Sequence, residues 1–128
     1  MMQFTSLLFA TNAAHAYSRN YLFYAALLVL LSAASVAWHS SPKLESDSMS
    51  IFWIDQAFIW ATIVMSVFYA TQMRSPLYKS LFAMLALATI ALSIYLVFGC
   101  QWDREYSTEH STFHGIVSLC LHCVIAGL

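Results

Sequence analysis

Charged residues are scarce in this sequence of 128 residues. Asp, Glu, Lys and Arg together make up 9% of the chain, whereas 61% of it is hydrophobic. A soluble domain carries roughly a quarter charged residues, so this chain has too few of them to cover a surface exposed to water. The net charge is −1, and the sequence has no Lys/Arg cluster of the size that nucleic-acid binding needs. The composition therefore excludes a soluble enzyme and a nucleic-acid partner, and it indicates a membrane protein.

Cysteine is also scarce, with three residues in the chain. An odd number of cysteines beside apolar segments is not a disulfide framework. Cys120 and Cys123 have the CxxC spacing of redox and metal sites. On a membrane helix, however, we interpret this pair as small packing residues.

The eleven charges lie in a few clusters that are separated by long uncharged stretches. These stretches are residues 20–42, 56–73, 80–102 and 110–128. Each is about as long as the ~20 residues that a helix needs to cross a bilayer. We therefore predict an integral, multi-pass membrane protein with an all-α fold and a single transmembrane domain, residues 1–128. Four full helices are expected at 20–39, 49–73, 75–99 and 109–128, after a short N-terminal helix at 3–17.

Chain parity predicts which charges share a side of the membrane. We call the near face the side that holds the short turns from the first to the second helix and from the third to the fourth. Arg19, Arg74 and Lys79 lie there, and all are positive. By the positive-inside rule the near face is cytoplasmic, and the opposite, far face is not. The two short turns also predict that each pair of helices they join packs as antiparallel neighbours.

Polar residues from three helices converge on the far face by the same parity. His39 ends the second predicted helix, Asp55 lies about one turn into the third, and His110 and His114 begin the fifth. Asp55 is the only acidic or basic residue inside an apolar span. Ionisable groups at such depth are costly, and they usually face the protein interior with a partner and a function.

The spacing of the histidines indicates a metal site. His110 and His114 are four residues apart, so both imidazoles lie on one side of their helix. With His39 they supply three nitrogen ligands and leave a fourth position open, as in catalytic zinc sites. Zinc there lowers the pKa of its water to roughly 7. Asp55 is suited to hold or deprotonate that water, and Ser35, one turn before His39, to orient Asp55.

Other polar residues carry weaker predictions. Isolated histidines near helix ends usually lie at the membrane interface, and we interpret His15 and His122 in this way. Four residues of the third helix fall at heptad-like spacing and predict an inward-facing polar stripe, which either lines a pocket or packs against neighbouring helices: Asp55, Thr62, Ser66 and Tyr69.

These motifs together resemble the CREST superfamily, which includes the alkaline ceramidases and the adiponectin and progestin receptors. Its members share S-x3-H on one helix, Asp on the next and H-x3-H at the start of the last, as in Ser35 to His39, Asp55, and His110 to His114. The resemblance implies that the three histidines bind Zn²⁺, that Asp55 holds the catalytic water and that Ser35 supports the site. It also implies hydrolysis of an amide or ester bond in a lipid. Because the family has seven helices, this chain resembles a shortened member.

Three functions follow as hypotheses. The first is a zinc-dependent intramembrane hydrolase, or a reduced relative, that acts on a membrane lipid from the non-cytoplasmic leaflet. The second is a small b-type haem protein with His39 and either His110 or His114 as axial ligands. The third is a non-catalytic subunit, either of a homo-oligomer or of a larger membrane complex.

Overall fold

The computed structural model describes residues 5–40, 47–96 and 107–128, and these residues form an all-helical fold without strands. The helices are α1 (Leu8–Ser18), α2 (Leu22–Ser40), α3 (Asp47–Gln72), α4 (Pro76–Tyr95) and α5 (Ser107–Gly127). The predicted fold class, four long helices after a short one, is confirmed. The polar loops predicted at 40–48 and 99–108 lie mostly outside the described residues, which do not include 41–46 and 97–106.

Four of these helices are long and apolar enough to cross a membrane. The candidate spans are Leu22–Ser40, Ser50–Gln72, Pro76–Tyr95 and His110–Gly127. Helix α1, with 11 residues, is shorter than the ~20 residues that a span requires. The protein is therefore an integral membrane protein, with α1 as a fifth, shorter helix in its bundle.

Local sequence signals fix the two short connections. Asn20 takes a positive φ of 65° in the turn between α1 and α2, a conformation that Asn tolerates better than most residues. Ser75 caps α4 by accepting a hydrogen bond from the backbone N–H of Tyr78, and Pro76 occupies the first turn. Proline suits this position because the N–H it lacks has no partner inside the helix.

The helices form a ring of four with one helix outside it. Helix α2 packs against α1 and α3, while α5 contacts α1 and, more lightly, α3, which closes the ring. Helix α4 packs on the outside of α5 and has no buried residue. The prediction that α3 and α4 pack together because a short turn joins them is wrong, since their described residues make only marginal contact.

Close approach at the near face explains the position of α4. The N–H of Arg74, between α3 and α4, donates to the carbonyl of Gly127 at 2.9 Å. A Cβ atom at Gly127 would lie 2.9 Å from Cβ of Tyr78, so a larger residue would push the first turn of α4 away. This contact ties the connection to the end of α5, and α4 then follows α5 rather than α3.

Contacts along α1 and α5 show that these two helices run in the same direction. Thr5 contacts His114, Asn12 bonds to Ser118, and His15 contacts His122, so the partner numbers rise together. The residues before α1 therefore lie at the same end of the bundle as the start of α5. This end corresponds to the predicted far face, and the predicted grouping of helix ends at it is confirmed.

The core changes in polarity from one end of the bundle to the other. Towards the near face it is an apolar cluster that includes Ala16, Leu28, Leu121 and Ile125. On α3, in contrast, the buried side chains are polar: across residues 50–72 they are Asp55, Thr62 and Ser66. In a membrane bundle, polar groups face the protein interior and apolar ones face lipid. Helix α3 therefore carries a polar stripe into the far half of the ring.

Candidate metal centre

Three histidines meet at the far end of the ring. One ligand nitrogen from each of His39, His110 and His114 lies within 4.8 Å of the other two. The ring centroids are 4.9 Å apart for His39 and His110, 5.1 Å for His39 and His114, and 4.8 Å for His110 and His114. The structure thus brings together all three residues that the sequence predicts as ligands.

The donor set fits a zinc ion. Three imidazoles with a free fourth position are a common arrangement in catalytic zinc sites. His114 is 4% exposed, and His39 and His110 are half-buried, so His114 is the most enclosed of the three. The metal itself remains a prediction, and the arrangement of the ligands supports it.

A hydroxyl from the N-terminal segment holds the most buried ligand. Thr5 Oγ1 lies 2.9 Å from Nδ1 of His114, and Phe9 packs edge-on against the same ring at 5.5 Å. A hydrogen bond to Nδ1 leaves Nε2 of His114 for a metal, which is how outer residues commonly orient metal-binding histidines. The sequence argument missed Thr5 because it gave α1 no part in the site.

We expect Thr5→Val to weaken zinc binding by about tenfold without loss of the fold, since removal of an outer hydrogen bond to a ligand histidine has effects of this size. The isosteric valine keeps the packing and removes only the hydroxyl. Titration of metal-free protein with Zn²⁺ measures the change. Thr112→Val, an exposed hydroxyl on α5, is the matched control and should bind zinc like the unmodified protein. Equal affinity in both variants would show that Thr5 does not orient the ligand.

Asp55 is buried towards the same end of the bundle as these histidines, and one of its carboxylate oxygens has no hydrogen-bond partner among the described residues. Its side chain is 3% exposed, and Oδ1 bonds to no other described atom. Asp55 is not among the mutually close ligand atoms of the three histidines. A buried carboxylate without a partner is costly, so its position favours a role towards a group that binds beside the histidines.

The register between α2 and α3 gives the depth of Asp55. Tyr24 bonds to Ser66 at 2.6 Å, and Trp38 stacks on Phe52 at 5.0 Å. Both contacts belong to one antiparallel register, which places Asp55 level with Ser35. Ser35 is four residues before His39, and four residues make about one turn. Asp55 therefore lies about one turn deeper than His39.

Ser35 has a different partner from the one expected. Its Oγ lies 2.9 Å from Oγ of Ser6, and Ser32 donates to the carbonyl of Ser6 at 3.2 Å. No hydrogen bond joins Ser35 to Asp55 among the described residues. Ser35 thus fixes the N-terminal segment on α2, and a catalytic contribution of Ser35 stays a prediction.

The predicted polar stripe of α3 faces inward. Asp55, Thr62 and Ser66 are buried, and Tyr69 is half-buried against Tyr24 at a ring distance of 4.9 Å. Ser66 is satisfied by the Tyr24 hydroxyl, whereas Thr62 Oγ1 has no partner among the described atoms. Towards the near face the stripe therefore joins α3 to α2 through Ser66 and Tyr69. Towards the far face, Asp55 and Thr62 keep polar atoms without a described partner.

His15 and His122 do not behave as isolated interfacial residues. Their Nδ1 atoms lie 2.9 Å apart and their rings are 5.1 Å apart, so the two side chains form a pair, and their position at the membrane interface stays a prediction. Chain parity could have predicted this proximity, because His15 lies near the end of a helix at the near face and His122 lies towards the end of another helix at that face. Cys120 and Cys123 are free thiols, and Cys120 is buried, in agreement with their predicted packing role.

No protein-family model matches this chain, and neither a curated protein nor a solved structure matches it.

Proposed function

We propose that the protein is a zinc-dependent intramembrane hydrolase that cleaves an amide or ester bond of a membrane lipid. One observation carries this proposal: three histidine nitrogens within 4.8 Å of one another share the far end of the bundle with a buried carboxylate oxygen that has no partner among the described atoms. A metal site needs the first feature, and the activation of water needs the second. The resemblance of the motifs to the CREST superfamily supports the same reaction.

Each residue has a role that follows from its position. His39, His110 and His114 would hold the ion, and Thr5 keeps the imidazole of His114 in the orientation for binding. Zinc, when bound, supplies a water of lowered pKa and polarises a carbonyl oxygen. Oδ1 of Asp55 would accept a proton from the attacking water as a general base, a role that typically contributes 10²–10⁴-fold in rate.

The depth of the site favours a lipid as the substrate. Asp55 lies five residues inside the span that begins at Ser50, about 7–8 Å along a helix. The hydrocarbon core is about 30 Å thick, within about 40–45 Å that includes the headgroup regions. A site this far below a membrane face meets the boundary between headgroup and acyl chains, where the ester and amide bonds of lipids lie. By the positive-inside rule, the positive near face supports a location of this site in the non-cytoplasmic leaflet.

The ring distances favour a compact ion over haem. In bis-histidine ligation, two imidazoles approach one iron from opposite faces of a porphyrin. Here all three rings contact one another, with centroids 4.8–5.1 Å apart, and no planar gap separates any pair. Association with further copies or with a larger complex stays a prediction.

Hydrolysis should be tested on purified protein in mixed micelles with one amide lipid, a ceramide, and one ester lipid, a phosphatidylcholine. We expect the release of fatty acid from at least one of them, measured by mass spectrometry. A zinc chelator should reduce the rate to background, and added Zn²⁺ should restore it. His110→Ala is the matched inactive control. Hydrolysis that is unchanged in chelator, or no release by zinc-loaded protein from either lipid, would contradict the proposal.

A further inference from the structure

A second polar cluster lies at the near end of the seam between α1 and α5. It consists of Thr11, His15 and His122, and shares no residue with the metal centre. Besides the contact between the two histidines, Nε2 of His122 lies 3.1 Å from Oγ1 of Thr11. Thr11 also donates its hydroxyl hydrogen to the carbonyl of Leu8 at 2.6 Å. These hydrogen bonds link His15, His122, Thr11 and the Leu8 carbonyl in one series.

The Leu8 carbonyl fixes the position of each proton in this series. A hydroxyl has one hydrogen, and Thr11 uses it on Leu8, so Thr11 accepts a hydrogen bond from Nε2–H of His122. A neutral imidazole protonated at Nε2 has a bare Nδ1. His15 must then donate its own Nδ1–H to His122 across the 2.9 Å contact. One proton, on Nδ1 of His15, thus lies between the Nδ1 atoms of the two histidines.

We propose that His15 and His122 form a second metal-binding site, in which Zn²⁺ or Cu²⁺ takes the place of this shared proton. At Zn–N distances of about 2.0–2.1 Å and tetrahedral angles, two ligand nitrogens lie about 3.3 Å apart. The observed 2.9 Å differs from this by only a few tenths of an ångström. His122 already presents a bare Nδ1, and His15 needs only to move its proton to Nε2. Water completes the coordination.

The surroundings suit a site that exchanges ions with the solvent. Both histidines are half-buried, and Arg19, at the near face, lies four residues, or about 6 Å, further along the helix than His15. Burial and the positive charge of Arg19 lower the pKa of His15. The neutral imidazole, which is the form that binds metals, is therefore favoured. Arg19 also weakens cation binding, so this site should be the weaker of the two.

Equilibrium dialysis of the metal-free full-length protein against Zn²⁺ tests the proposal. We expect two zinc ions per chain at saturation, the second bound more weakly, and loss of the second in His15→Ala and in His122→Ala. Thr11→Val should weaken the second ion by about tenfold, because it removes the group that orients His122. Cu²⁺ bound in a His110→Ala background should show an electron paramagnetic resonance spectrum with coupling to two imidazole nitrogens.

Cys123→Ser is the matched control, since it removes the thiol beside His122 and should leave the second ion in place. A saturation value that is the same in His15→Ala and His122→Ala as in the unmodified protein overturns the proposal. A second ion that survives both histidine substitutions and disappears in Cys123→Ser also overturns it, and assigns the ion to the thiol. Because these residues are separate from the three-histidine centre, either result leaves the proposed hydrolase intact.

Discussion

Purified protein, after dialysis against a weak chelator that removes loosely held ions, should contain about one zinc ion per chain, and His114→Ala should contain almost none. The reason is geometric, since a three-histidine centre has no spare ligand. His114 is also the most buried ligand and is held by Thr5 at 2.9 Å. His39→Ala and His110→Ala should retain less than a tenth of the zinc. Elemental analysis by mass spectrometry gives the ratio directly.

Ser111→Ala provides the matched control for this experiment. Ser111 lies in the same turn as His110, and its hydroxyl is buried without a partner among the described residues. The substitution alters α5 to a similar extent without removal of a ligand, so zinc should stay at the level of the unmodified protein. His122→Ala should also keep its zinc, because the near-face pair is emptied by the dialysis. Zinc that remains in all three ligand variants would show that the metal binds elsewhere.

The positions of charged residues made the helices and the far-face site predictable. Charges are excluded from the bilayer core, so the gaps between them predict spans, and the order of the spans assigns each helix end to a face. His39, Asp55 and His110 could be placed on one face by this rule alone. The approach of His39, His110 and His114 to within 4.8 Å of one another could not, because parity gives depth and not lateral position.

Lateral packing is where the sequence argument failed. Nothing in the apolar surface of α4 indicates which helix it packs against. The contacts at its start involve Gly127, which lies close to Met73 and Tyr78 and accepts a hydrogen bond from Arg74. The part of α1 in the site was missed for a similar reason. A helix of 11 residues is too short to read as a span, yet Thr5 and Ser6 just before it reach His114 and Ser35. Such contacts depend on which helices are neighbours in the bundle, and the sequence pattern does not predict this.

Asp55→Asn is expected to stop hydrolysis, to leave the zinc content unchanged and to stabilise the metal-free protein. The amide cannot accept a proton as a general base, so the rate should fall by about 10²–10⁴-fold. Zinc should remain, because Asp55 lies outside the ligand group. In the metal-free protein the carboxylate is buried and Oδ1 lacks a partner. A neutral amide avoids part of that cost, so we expect a gain of about 1–3 kcal/mol in the free energy of unfolding.

The comparison between metal-free and zinc-loaded protein separates a functional carboxylate from a structural one. A bound cation compensates the charge of a nearby carboxylate, so the gain from Asp55→Asn should shrink or vanish with zinc. Thr62→Val is the control: it removes another buried hydroxyl without a partner on the same stripe, and it should stabilise both forms equally and leave hydrolysis unchanged. If Asp55→Asn instead destabilised the metal-free protein, the carboxylate would be a structural group, and general-base catalysis by Asp55 would lose its support. Thermal unfolding of the two variants, with and without Zn²⁺, therefore tests the role of Asp55 before the lipid substrate is known.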